Sequence, residues 1–284
     1  MNLKKTNYCL KKDIKSFLDS EKMESDIFAK ETGVSINTIK EILNNNKTVS
    51  NKVYEKIYDY IYSCGYRINT VKEEFLKEKS IKVLFHGSKE GLNNILFNGS
   101  RDNCDFGKGF YLGDNYDSAL SFICDNDNSS VYSFSYSLNG LKVVKFDCTL
   151  EWMLAICYYR GTINRYANHS LIKKIIRKIE NSDVIIAPIA DNRMFYIMSL
   201  FANGDINSNI ALHSLSASNL GLQYVFRSEK AIKKLKTIEK YYICNSERNY
   251  AMTKLKDRSN YVDSKLKMSR REFKKGLYIE ELLK

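Results

Sequence analysis

At Ser80 the hydrophobic rhythm of the chain changes, and no other feature constrains the fold as much. The first eighty residues repeat their apolar positions at helical spacing throughout. Beyond Ser80, short apolar runs take over: "IKVLFHGS", "SVYSFSYSL", "LKVVKFD", "DVIIAPI" and "LQYVFRS" read as strands. Helical stretches separate them, at "GLNNILFNG", from about Asp117 to Asp125, and at "TLEWMLAICYYRG", "SLIKKIIRKIE", "RMFYIMSLFANG" and "EKAIKKLK". Strands interrupted by helices without a regular βαβ rhythm argue for an α+β fold rather than a doubly wound sheet. The expected organisation is a helical domain over 1–78, a mixed domain over 79–238 and a basic helical extension over 239–284.

Bulk properties exclude several classes. A chain of 284 residues, 44% apolar, has room for two globular domains. There is no run of about eighteen apolar residues, so no spanning helix is expected and no membrane partner. The basic start "MNLKKTNYCLKKDIK" lacks the apolar stretch of a secretory leader, which predicts a cytoplasmic protein. Seven scattered cysteines with no C-x-x-C pair read as reduced thiols, not as a zinc site or a disulfide frame. A net charge of +12, spread along the chain, favours polyanionic partners such as nucleic acid. AT-biased coding would give the same surplus, since the chain is rich in Lys, Asn, Ile and Tyr and has one proline.

Within the helical part, "MESDIFAKETGVSINTIKEILNNN" places Ile27, Phe28, Val34, Ile39, Ile42 and Leu43 so as to suit two short helices around a tight turn. Gly33 can end the first helix in the left-handed conformation and Ser35 can cap the second, the pattern of a helix-turn-helix. "VYEKIYDYIYSCGYRIN" adds another amphipathic helix, with Val53, Ile57, Tyr60 and Ile61 on one face. "AKETGVSINTIKEI" resembles the Cro/repressor type, whose second helix enters the major groove. That resemblance implies DNA contact through residues 24–45, with Asn37, Thr38 and Lys40 facing base edges. A helical bundle that only packs or dimerises is the competing reading.

In "DFGKGFYLGDN", from Asp105 to Asn115, the glycines come close to a dinucleotide fingerprint, but the spacing is off by one. Tyr111 also stands where a helix on phosphate should begin. The glycines are better read as positioning the tyrosine. His86 in "LFHGS", Tyr111 and Gln223 in "LQYVF" each sit at the edge of a predicted strand. In that order they resemble the ADP-ribosyltransferase superfamily, on its poly(ADP-ribose)-polymerase and diphtheria-toxin side with a His-Tyr-Glu signature, here His-Tyr-Gln. "SRDNCDFGKGFYLG", "LEWMLAICYYR", "DVIIAPIADNRMFYIMSLFANGDI" and "LQYVFRSEKAIKKL" look like a bacterial family of unknown function in that superfamily. In that family the third position is commonly glutamine. The resemblance spans roughly Ile81 to Lys236 and implies a split β-sheet core with helices.

The resemblance implies that NAD is a substrate and that no metal is needed. His86 would bond a ribose hydroxyl, the Gly87 backbone would hold the nicotinamide carboxamide, and Ser88 would donate nearby. Gly107 and Gly109 would deliver Tyr111 to stack on the nicotinamide ring, and Gln223 would bond the hydroxyl of the reacting ribose. Arg193 in "ADNRMF" could take pyrophosphate in its bidentate fork, with helix capping by Asp191 as the alternative. Glu229 reads as a first-turn carboxylate of a helix and Trp152 as core. His169 and His213 show no metal-ligand spacing. Since a neutral amide cannot act as a base, single ADP-ribose transfer is expected rather than polymer formation. The acceptor would be a macromolecule, nucleic acid ahead of protein, in a toxin or phage-defence effector restrained by an antitoxin. The alternative is a non-catalytic DNA-binding regulator whose middle domain senses NAD or ADP-ribose. A 2′-phosphotransferase acting on RNA is a third reading.

Overall fold

The computed structural model of the chain describes residues 3, 7–45, 47–216 and 220–284. In chain order the elements are α1 (Leu10–Glu21), α2 (Ser25–Thr32), α3 (Ile36–Asn45), α4 (Asn51–Ser63), α5 (Ile68–Glu78), β1 (Val83–Ser88), β2 (Phe110–Gly113), α6 (Tyr116–Ser121), β3 (Ser130–Tyr136) and β4 (Val143–Lys145). They continue as α7 (Leu150–Tyr159), α8 (Ser170–Glu180), β5 (Val184–Pro188), α9 (Asn192–Ala202), α10 (Ser208–Leu215), β6 (Leu222–Phe226), α11 (Glu229–Ile232), β7 (Leu235–Tyr241), α12 (Asn245–Glu272) and α13 (Ile279–Leu282). The fold class is α+β with a helical N-terminal region, as the change of period predicts. The chain forms two compact units: Met1–Asn94 with Asn115–Tyr136 and Lys236–Thr253, and Ile95–Asp114 with Ser137–Leu235 and Lys254–Lys284.

In the first unit the helices α1 to α4 bury one apolar face each, through Ile14 and Phe17, Phe28, Ile39 and Ile42, and Ile57 and Ile61. Gly33 ends α2 at φ +61°, and the Ser35 hydroxyl accepts from the Thr38 amide at the start of α3. Both capping roles follow the sequence reading. β1 pairs antiparallel with β3, and β7 lies at the far side of β3. The same unit buries a charged cluster. The buried Lys72 ammonium reaches Asp13 at 2.6 Å and also Glu239, and the Tyr58 hydroxyl donates to Asp13 at 2.6 Å. Two carboxylates facing one ammonium hold Lys72 protonated well above the ordinary lysine range.

A second buried cluster joins α5 to α12. Asn69 donates to Glu247 at 3.1 Å and to the Tyr116 hydroxyl at 2.9 Å. Burial pushes the Glu247 carboxyl up to about 7, against the hydrogen bonds from Asn69 and Tyr116 that favour its charged form.

The second unit is built on the strand order β4-β5-β6-β2, with β4–β5 parallel and the other two pairs antiparallel. Its core takes Trp152 to Cys157 of α7, six consecutive buried residues, so that helix is apolar on every side. Ile172, Ile175 and Ile179 of α8, Met194, Ile197 and Phe201 of α9, and Val262 and Leu266 of α12 complete it.

Three sequence expectations are corrected. "GLNNILFNG" is loop rather than helix: Gly91 takes φ +81°, and Leu96 is more than half exposed, so no apolar face forms. The helix expected from Asp117 to Asp125 ends at Ser121. "EKAIKKLK" is helical only over Glu229–Ile232, and β7 follows. That strand lies at the end of its strand order and carries Lys236, Glu239 and Lys240. Charges on an edge strand suppress the apolar alternation by which strands are recognised.

Glu247 gives the first unit a predicted pH dependence. Its carboxyl titrates near 4.5 when exposed and near 7 when folded, so between these values only the folded chain keeps the proton. Stability therefore falls as pH rises through that window, by on the order of 3 kcal/mol for this group. Urea unfolding at pH 5 and pH 8 checks this: Glu247→Gln removes most of the difference seen in the parent chain.

Candidate functional site

β2 and β6 pair antiparallel, with Tyr111 opposite Val225 and Gly113 opposite Gln223. On its other side Gln223 faces Ala187 of β5. Opposed residues project to the same side of a ladder, and residues two apart on a strand share a face. Tyr111 and Gln223 therefore lie on one face as diagonal neighbours, about 7–8 Å apart by sheet geometry. The flanking positions are glycine and alanine, which leave the Gln223 side chain uncrowded by its strand neighbours.

The glycine loop closes around the tyrosine. Gly107 sits at φ +72°, and a Cβ there would stand 2.9 Å from the Tyr159 ring. A Cβ on Gly109 would stand 2.4 Å from Cγ1 of the fully buried Val225. The Tyr111 hydroxyl donates to the Gly107 carbonyl at 2.7 Å and accepts from the Phe106 amide at 3.1 Å. Burial raises its ionisation well above the ordinary phenol range, so the hydroxyl is a neutral anchor to the loop.

Gln223 is buried, and its Nε2 donates to Asp105 Oδ2 at 2.9 Å and to the Pro188 carbonyl at 3.0 Å. Both partners are acceptors, so the amide nitrogen must face them. Asp105 Oδ1 in turn accepts from Nε and Nη2 of Arg160 at 2.9 and 2.6 Å, and the Arg160 guanidinium lies 4.4 Å over the Phe195 ring. Arg160 closes α7, just beyond its run of buried residues.

His86, Gly87 and Ser88 lie together at the end of β1 in the first unit, opposite Tyr132, Val131 and Ser130 of β3. A Cβ on Gly87 would stand 2.4 Å from the Ala119 carbonyl and 3.1 Å from Ile123, so helix packing alone requires a glycine there. Arg193 lies in the first turn of α9, with Asp191 capping that helix through the Met194 amide at 2.8 Å. Its guanidinium pairs with Asp263 of α12 and lies over the Tyr196 ring, so a pyrophosphate would have to compete with that carboxylate. On α3, Asn37 and Lys40 are exposed, while the Thr38 hydroxyl is engaged by Ser35 at 2.8 Å. Among the described residues no group of three or more His, Cys, Asp or Glu side chains could hold a metal ion, and no helix is long and apolar enough to cross a membrane.

Residues 82–237 match the profile of a family described as a protein of unknown function, DUF3990. The chain belongs to the DUF3990 family. No curated protein and no solved structure matches it significantly. The DUF3990 region contains His86, Gly87, Ser88, the glycine loop, Tyr111, Arg193 and Gln223, and leaves Asn37, Thr38 and Lys40 outside. It also contains Asp105 and Arg160, which sequence reasoning did not single out. The signals available were a charged residue opening the glycine segment and an arginine ending an otherwise apolar helix.

The packing of this loop makes a direct demand. Gly109→Ala pushes a methyl into Val225, which has no room to move, and should lower unfolding stability by about 1–3 kcal/mol in a denaturant titration. A surface alanine exchange outside the loop should shift stability by less than about 0.5 kcal/mol.

Proposed function

We propose that the protein is an NAD-dependent mono-ADP-ribosyltransferase that modifies a macromolecular acceptor, nucleic acid ahead of protein. The observation that carries the reading is the shared face of β2 and β6. It sets an aromatic ring beside a buried carboxamide whose nitrogen is already bonded, leaving its carbonyl oxygen as acceptor. An oxygen of that kind suits a ribose hydroxyl, and a ring face suits the flat nicotinamide.

The chemistry asks little more of these groups. The glycosidic C–N bond of NAD⁺ breaks, its electron pair goes to the nicotinamide ring, and the acceptor nucleophile bonds the ribose C1′ through an oxocarbenium-like state. Gln223 would hold the reacting ribose by its hydroxyl and Tyr111 would stack on the departing ring; by the same resemblance His86 would bond the adenosine-side ribose and the Gly87 backbone the nicotinamide carboxamide, with Ser88 donating nearby. An amide takes up no proton, so the acceptor must be nucleophilic already or lose its proton to another group. That favours one transfer over chain growth. A cytoplasmic toxin or phage-defence effector held in check by an antitoxin belongs to the same reading.

Incubation with labelled NAD⁺ and cell extract tests the proposal: nicotinamide should be released and a macromolecule labelled. Gln223→Ala should lower the rate by roughly 10²–10³-fold, and His86→Ala or Tyr111→Ala should abolish labelling. NAD⁺ binding without turnover would indicate a sensor instead.

The exposed Asn37 and Lys40 on α3, behind a capped turn, support a DNA-reading role for residues 24–45. Lys40→Ala should weaken binding to DNA fragments and reduce its salt dependence by about one phosphate contact. Unchanged binding would assign α3 to protein packing.

A further inference from the structure

We infer that Asp105 is the positioning residue of this site: it fixes the Gln223 carboxamide with its carbonyl oxygen toward substrate, and it is the reason an amide rather than an acid stands there. What the oxygen does rests on the transferase reading; how it is held rests on geometry alone.

A carboxamide has two nearly isosteric ends, and a half-turn about its last bond exchanges them. In this site the half-turn would bring Oε1 to the place of Nε2, 2.9 Å from an Asp105 oxygen and 3.0 Å from the Pro188 carbonyl. Two donated hydrogen bonds would become two oxygen–oxygen contacts inside a buried site, where an unpaired polar group is costly. Asp105 cannot swing away to relieve them. Its other oxygen takes two N–H groups of Arg160, whose guanidinium is itself packed on Phe195.

The same short segment also holds the second member of the site. Asp105 precedes Phe106, whose amide donates to the Tyr111 hydroxyl, and Gly107, whose carbonyl accepts from it. Asp105 thus ties the loop that carries Tyr111 to the strand that carries Gln223, across 118 residues of sequence. A glutamate at position 223 would set a second carboxylate against Asp105 and the Pro188 carbonyl. It could stay only by taking a proton or by turning out of the site.

Thermal unfolding of Gln223→Glu, Asp105→Asn and the double variant tests the orientation claim. Gln223→Glu alone should melt lower than the parent chain by more than about 4 °C. Adding Asp105→Asn should recover at least half of that loss, because the asparagine amide can donate to the new carboxylate. A Gln223→Glu variant that melts like the parent chain, or losses that simply add in the double variant, would overturn the claim. In the labelling assay, Asp105→Asn should lower kcat about 10–100-fold with KM for NAD⁺ changed less than about twofold. A parental kcat would overturn the positioning role. Should the parent chain transfer no label, the transferase reading fails by itself, and the melting cycle still decides whether Asp105 orients Gln223.

Discussion

A buried carboxylate needs charged and hydrogen-bonding partners, and Asp105 has both. Arg160 serves one oxygen and Gln223 the other, so the burial penalty is offset only when the C-terminal end of α7, the glycine segment and β6 are all in place. That condition makes the second unit specific rather than merely compact. Its core of isoleucine, methionine and phenylalanine could tolerate many packings, whereas a three-membered polar chain of this geometry tolerates few. The candidate site inherits its rigidity from that chain. Tyr111 is held by backbone next to Asp105, and Gln223 is held by the Asp105 carboxylate itself.

The first unit solves the same problem with a lysine. Lys72 stands between Asp13 and Glu239, with Tyr58 donating to Asp13, and so joins α1, α4, α5 and β7 around one ammonium. Removing Lys72 leaves two carboxylates buried without a counter-charge, so the cluster enforces a single arrangement more than it adds net stability. Glu247, nearby in sequence to β7, is a group in this unit whose protonation couples to folding near neutral pH.

The fold class was legible in the sequence because hydrophobic period survives translation into structure. Five of the strands read as short apolar runs, and most of the helices as apolar or amphipathic stretches of helical length. β7 did not, since an edge strand bearing Lys236, Glu239 and Lys240 shows no apolar alternation. The segment "GLNNILFNG" misled in the opposite way: its apolar residues have helical spacing, yet the left-handed Gly91 and the exposed Leu96 give that spacing nothing to bury against. Tyr111 and Gln223 could be singled out by motif, and the glycines that shape the loop could be read as serving the tyrosine. Their placement on one face depends on the register of β2 with β6, which spacing along the chain does not encode. Asp105 and Arg160 were invisible for the same reason. The contact that matters joins residues 118 positions apart, and the local signals at Asp105 and Arg160 do not say that the two meet.

The most direct test of this account is a crystal structure with a non-hydrolysable NAD analogue. It should place a ribose hydroxyl within about 3 Å of Gln223 Oε1, with the nicotinamide ring against Tyr111 and the Gln223 nitrogen still on Asp105. An analogue bound elsewhere, or a carboxamide turned so that its nitrogen meets the ribose, would contradict it.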